Sequence, residues 1–600
     1  MKLPYFLVYL SLFLSYCLAI PQVTPDFSIQ KQNLTVRIDP AKSSTVILAE
    51  IEFNTTTPQN SIAFFLNKKA QISQVEIPGQ TISYQLKPDF DLEKYAGPVD
   101  SADRQDYKGA ALLEIKSREP LAAGKITLKY QIPATDSVDK AAFSREYIAY
   151  QVKGYIGPKG VFISPSYFWY PSLLNSLEKF HITITSPDSL FVLTQGILVQ
   201  SQTDGKTRQT EWDISYPADA IHLVGAHYNS HTKKYKNVDV STYFFPQTEE
   251  LSDSYLSASQ RYLGMYEGLI GAYPFSKFAV VENFFPTGYG MPSYTLLGGQ
   301  VIRLPFIIYT SLGHEIAHNW WGNSVYVDYE SGNWCEGLTT YYADYTYKEM
   351  KSRQDAMEYR RDIDRDFSVY VNDKNDFPLN QFRERTESAS RAIGYGKSAM
   401  VFHQLRRIVG DSLFYDSFRK FYRDNKFRAA SWSDIQRAAE AISGQNLAWF
   451  FKQWVERAGA PKIYLKNTEY QNDHIVLTLE QSEPVYRLYV PVRVEYDGAD
   501  STIYVWFEKN RQTFEIPVSE MPAKVAVDPD FDLFRRLDRS EIPPTLSEIF
   551  AQPQSVVILP DETTPEKLES YRAFARMFSE GEDNMIVKTP EEIDTADIQG

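Results

Sequence analysis

One stretch constrains this chain more than any other: SLGHEIAHNWWGNSVYVDYESGNWCEGLTTYYADY, Ser311 to Tyr345. His314 and His318 stand four apart, with Glu315 beside the first. On a helix, residues i and i+4 share a face, so both imidazoles can reach one ion. Neutral imidazole suits zinc. Glu315 is turned about 100° away from that line, which puts it beside the ion instead of on it. Ile316 and Ala317 lie between the polar residues, and Trp320 and Trp321 follow. So apolar a helix is expected to be buried, and burying two histidines and a glutamate without a shared partner would be costly. The segment therefore reads as part of a site for one zinc ion, with three protein ligands and an open position.

Asp328, Glu330 and Glu336 are the candidates for the third ligand. The first two fall in the turn-rich run DYESGN. Glu336 is followed by GLTTYYADYTYKEM, a helical run, and a carboxylate opening a second helix that faces the first is well placed to ligate. Glu336 is taken as the ligand. Cys335 adjoins it, but neighbouring helical residues point about 100° apart, so it reads as a small buried thiol.

With these residues in place, GHEIAHNWWGNSV and WCEGLTTYYADY resemble the aminopeptidase N family of gluzincin zinc peptidases. The matching positions are His314, Glu315, His318, Trp320 or Trp321, Gly322, Asn323, Glu336 and Gly337. Seventeen residues, Asn319 to Cys335, separate the second histidine from Glu336, where the family has eighteen; loops absorb such deletions. The resemblance implies a thermolysin-like, mainly helical catalytic domain, zinc as cofactor and peptide or protein substrates. It also implies a catalytic tyrosine. AIGYGKSAMVFHQL supplies Tyr395, with Lys397 after it and Ser398 where the family has glycine. Its phenol would donate to the developing oxyanion. The GKS here is no phosphate loop, because Arg391 stands where a glycine is required. FFKQWVERAGAP resembles the end of the family's catalytic domain.

The likeness breaks at one place. The family has a Gly-x-Met-Glu-Asn strand at the cleft, whose Glu holds the substrate amine and whose backbone pairs with the peptide. Gly288, Tyr289, Gly290 and Met291 resemble that strand and are the expected substrate-binding residues. Pro292 stands in the place of Glu and Ser293 in that of Asn. Proline has neither a carboxylate nor an N–H. A second amine-binding acid is not evident in VFISPSYFWYPSL. Glu282 is a candidate substitute that nothing in the sequence places in the cleft.

At 600 residues the chain is too long for a single core. Its periodicities give a multi-domain α+β fold. LTVRID, STVILAEIEF and HITITS alternate with period two, the mark of a β-rich N-terminal domain over 20–230. Helical spacing dominates 231–460, the catalytic domain. HIVLTLEQ, YVPVRVEY and STIYVWFE read as a small β-sandwich over 461–540. Residues 541–600 carry 13 acidic and 4 basic side chains; a strand, a helix and a second strand there read as an α/β unit that stops before closing. With the tail set aside, the net charge of −14 leaves a nearly balanced body. That excess argues against nucleic-acid binding. The first residues have the layout of a signal peptide cut after Ala19, and no later run reaches the roughly 18 apolar residues of a membrane span. Export to the periplasm or the extracellular space is expected. Cys17 would leave with that segment, so Cys335 has no disulfide partner. The functional expectation is an exported zinc metallopeptidase, aminopeptidase-like in its action. An endopeptidase, a non-peptide zinc hydrolase and a catalytically silent binding protein are the rivals.

Overall fold

The computed structural model describes residues 27–96, 107–138, 152–174, 176–542, 555–561, 563–579 and 585–594. The expected signal segment, 1–19, lies outside them. The chain divides into two compact units. One is Met1–Ser230 with Tyr243–Glu249 and Glu282–Thr287; the other is His231–Thr242, Glu250–Val281 and Gly288–Gly600.

Alternating burial builds the first unit. In the strand Phe27–Asp39, Phe27 and Ile29 are buried, then Leu34, Val36 and Ile38. The switch from odd to even numbers follows a register shift between Ile29 and Lys31, because one extra residue turns every later side chain to the other face. This strand pairs antiparallel with Ser44–Asn67 and parallel with Glu178–Pro187 in an eight-stranded sheet. Sequence patterning suggests short strands here, yet Ser44–Asn67 and Ala110–Pro133 run 24 residues each and pair along their length. The polar run NTTTPQN looks like a turn. It instead stays extended and mostly exposed, with its irregularity absorbed by register shifts between Asn54, Gln59 and Ser61.

The second unit holds the helices. Ser252–Leu269 buries Tyr255, Leu256, Ser259, Tyr262, Leu263 and Tyr266, a stripe at helical spacing. Tyr266 donates to the carbonyl of Gly313 at 2.9 Å. This ties the helix to the short helix Ser311–Ala317, which carries the first histidine. Trp320 and Trp321 are wholly buried. Trp320 donates to the carbonyl of Gly271 at 2.9 Å, and Trp321 packs among Phe418, Phe421, Tyr422 and Tyr342. These aromatic contacts fix where the histidine helix ends. The strand Gly288–Met291 pairs antiparallel with Tyr294–Gly298 and is the outer strand of its sheet.

Beyond the helices lie two three-stranded antiparallel sheets. Ile463–Gln471, His474–Gln481 and Arg511–Pro517 form one; Ala499–Phe507, Leu488–Tyr496 and Lys524–Val527 form the other. Ile475, Leu477 and Leu479 from the first and Val490, Val492 and Val494 from the second are buried. In the tail, Ser555–Ile558 and Met585–Lys588 pair in parallel, with the helix Pro565–Ser579 between them in sequence. Among the described residues no helix is long and apolar enough to cross a membrane.

Candidate metal centre

Helix Ser311–Ala317 presents His314, and His318 caps its end, its N–H bonding to the carbonyl of His314 at 3.2 Å. Glu336 sits in the first turn of helix Cys335–Thr340. Asn333 sets that turn, its side-chain oxygen accepting from the N–H of Cys335 at 3.0 Å. The structure brings the donor atoms of His314, His318 and Glu336 within 4.8 Å of one another. The carboxylate of Glu336 lies 3.8 Å from Nε2 of His314 and 3.6 Å from Nε2 of His318. Donors of a tetrahedral zinc, each about 2.0–2.1 Å from the ion, stand roughly 3.3–3.4 Å apart. Asp328 and Glu330, the rival ligands, are not part of this cluster.

The far side of each ring is engaged too. Nδ1 of His314 meets Asp344 at 2.9 Å, and Nδ1 of His318 meets the carbonyl of Trp321 at 3.1 Å. Such partners fix ring orientation and leave Nε2 facing the centre, as metal-binding histidines require. The donor set therefore fits zinc: two imidazoles with their outer nitrogens occupied, and one carboxylate between them. Cys335 is buried and directs its sulfur to Nδ1 of His318 at 3.4 Å, behind the ring. Gly322, at φ +95°, leaves room for that sulfur, since a Cβ there would come within 2.8 Å of it.

The electrostatics favour a cation. Burial opposes charge on His314, but Asp344 and Glu336 outweigh it and lift its pKa to about 10. His318 is likewise raised, against burial, by Cys335 and Glu336. Glu336 is held far below its ordinary value by the two imidazoles, despite burial. Without a metal, protons supply the positive charge the site demands; a dication displaces them.

Glu315 is not one of the clustered ligands but feels the charges of His314, His318 and Glu336, and burial raises its pKa. The outer strand lies against it. A Cβ on Gly290 would meet Oε2 of Glu315 at 2.9 Å and Cβ of His318 at 3.0 Å. Asn323 locks the strand by donating to the carbonyl of Gly290 at 3.0 Å. Pro292 and Ser293 form the turn between the strand and its partner, and the N–H of Ser293 donates to Asn319 at 2.9 Å. Met291 is buried and Tyr289 half-buried. Glu282 is committed elsewhere: it is fully buried in the first unit, where its carboxylate accepts from the N–H of Phe245 at 2.8 Å and from the hydroxyl of Thr248.

Tyr395 lies in a π-helical turn, Ala392–Lys397. Burial raises its pKa, and its hydroxyl interacts with Glu336 and senses the charge of Glu315. Lys397, two residues on, is wholly buried and donates to the carbonyls of Arg457 and Gly459 at 2.9 and 3.1 Å. It bolts the turn that carries Tyr395 to the segment closing the helical region. Sequence reasoning missed Asp344 and Asn319. The only signal for Asp344 was an acid two turns beyond Glu336 in the same helical run.

Comparison with known proteins agrees with this geometry. Residues 308–454 match the model of the peptidase family M1 domain. The probable aminopeptidase 1 of Sulfurisphaera tokodaii is 23% identical over 220 residues, covering 35% of this chain and 28% of that protein. The alanine/arginine aminopeptidase of Saccharomyces cerevisiae is 22% identical over 312 residues, covering 47% and 36%. The chain thus spans only about a third of the length of these curated relatives. A crystal structure of a mutant M1 zinc metallopeptidase from Deinococcus radiodurans superposes with a TM-score of 0.56 at 16% identity, over 72% of this chain and 94% of that one. The fold is that of the M1 metallopeptidases. Residues 308–454, which carry the metal-centre residues, are thus similar in sequence to the M1 peptidase domain and to aminopeptidases.

Proposed function

We propose that this chain is an exported zinc metallopeptidase that hydrolyses peptide bonds in an aminopeptidase-like manner. The observation that carries the reading is the convergence of His314, His318 and Glu336, with Glu315 beside them and an outer strand against Glu315. His314, His318 and Glu336 would hold zinc, which when bound would supply a Lewis acid to polarise a carbonyl and acidify water. Asp344 and the Trp321 carbonyl orient the two imidazoles. Glu315, its pKa raised by burial toward the working range of a general base, takes the proton of the attacking water and passes it to the leaving amine. The Tyr395 hydroxyl, kept protonated, donates to the oxyanion. Gly288–Met291, the outer strand of its sheet, aligns an extended substrate by β-pairing.

Glu315→Gln should abolish turnover of peptides and aminoacyl amides while zinc stays bound. Full activity in that variant would sink the mechanism.

An endopeptidase on the same scaffold is the second reading. Pro292 favours it, since the position expected to grip a substrate's free amine carries no charge. Free and N-acetylated peptides, compared as substrates, separate the two.

A further inference from the structure

A cavity of about 400 Å³ opens beside the metal centre, with Asp344 and Tyr395 both in its wall. Its other charged walls are Asp362, Asp366, Arg365, Arg391 and Arg385, the last already engaged by an interaction of its own. Each of these carboxylates already has a cationic or imidazole partner. Asp344 holds His314 at 2.9 Å. Arg365 donates to Asp362 at 2.6 Å and to Asp366 at 2.7 and 3.1 Å. Arg391 differs: among the described residues its guanidinium makes no hydrogen bond and joins no ion pair, and the side chain is exposed. It immediately precedes the π-helical turn that carries Tyr395, four residues ahead of it, and both side chains line the same cavity. An extended peptide advances about 3.3 Å per residue. A substrate with its reacting carbonyl against Tyr395 therefore brings its next one or two residues within reach of Arg391.

We infer that Arg391 makes this cavity a subsite for a carboxylate carried one or two residues beyond the scissile bond. The inference rests on the peptidase reading above. Two sources offer that group: the α-carboxylate of a dipeptide or tripeptide, and an acidic side chain in a longer one. A guanidinium matches either with paired, charge-assisted hydrogen bonds. A charge-selecting wall here would anchor a peptide by its carboxyl side, in a protein where Pro292 stands in place of the expected anchor for its amino end.

The test uses calorimetry on zinc-loaded Glu315→Gln protein, with Ala-Ala, its C-terminal amide and Ala-Glu-amide as probes. Ala-Ala should bind about tenfold more tightly than its amide, with the gap narrowing at high salt. Ala-Glu-amide regains the affinity if a side chain serves as well, and matches the plain amide if only the chain end fits; either is compatible with the subsite. Arg391→Gln should bring Ala-Ala down to the level of its amide and leave the amide unchanged. Arg391→Lys should keep part of the gap. In the catalytically competent protein, the same Arg391→Gln change should raise KM for Ala-Ala without altering kcat. Equal binding of acid and amide by the unsubstituted subsite, or a preference that survives Arg391→Gln, overturns the assignment. If the competent protein hydrolyses acid and amide with equal KM, the subsite is wrong and the peptidase reading stands. If it hydrolyses neither yet binds carboxylates through Arg391, the aminopeptidase reading falls and the subsite stands.

Discussion

Gly290 offers the sharpest test of how the outer strand serves Glu315, the proposed general base. Its backbone φ is ordinary, so only space demands glycine there. An alanine Cβ would stand 2.9 Å from Oε2 of Glu315, 3.0 Å from Cβ of His318 and 3.1 Å from the carbonyl oxygen of Glu315. The carboxylate can swing aside, but the other two atoms belong to a helix pinned by Tyr266 and by the metal ligands. The strand must retreat by about half an ångström to restore normal contact, an overpacking cost of about 1–3 kcal/mol. A 1 Å misplacement can cost on the order of a hundredfold in rate, so a shift of half that size corresponds to roughly tenfold. Gly290→Ala should thus lower kcat/KM for a dipeptide about tenfold, with full zinc content and a slightly lower melting temperature. Gly288→Ala is the control, because a Cβ there meets nothing within 4 Å. If both variants keep wild-type kcat/KM, the strand does not position substrate against Glu315.

Asp344→Asn removes the charge behind His314 and should weaken zinc binding by about 10- to 100-fold in chelator competition, whereas an unchanged affinity would show that Asp344 does not support the ligand. Glu178, buried in the first unit and hydrogen-bonded to Gln32 at 2.6 Å, has its pKa pushed up by burial from 4.5 to about 7. Folded protein holds that proton more tightly than unfolded, so the contribution is complete below about pH 4.5 and fades as pH rises through about 7, by about 3 kcal/mol in all. Glu178→Gln should therefore gain stability over wild type as pH rises from 5 to 8 in urea unfolding. A difference between the two that stays constant across that range would rule the linkage out.

Legibility in the sequence followed locality. His314, Glu315 and His318 share one helical turn, and the regular geometry of a helix is enough to set their relative directions. Alternation marked STVILAEIEF, but not its continuation through NTTTPQN to Asn67, because nothing local distinguishes a solvated irregularity in a strand from a turn. Asp344 was hidden by a change of helical phase. An ideal helix leaves it about 80° around from Glu336. The wider π-turn at Tyr341–Tyr345 takes up that angle, and its hydrogen bonds depend on packing around the tyrosines. The uncommitted state of Arg391 was equally unreadable, since it follows from where Arg365 and its two aspartates settle.

By itself, then, the sequence determined the donor chemistry: which side chains can bind a cation, which can move a proton, and the helical spacing that keeps them in register. Only the tertiary structure decided which carboxylate closes the triad, what stands behind each imidazole, and how near the outer strand comes to Glu315. Those are distances between segments far apart in the chain, and they are set by the packing of Tyr266, Trp320, Trp321 and Asn323, residues whose contacts no local pattern specifies.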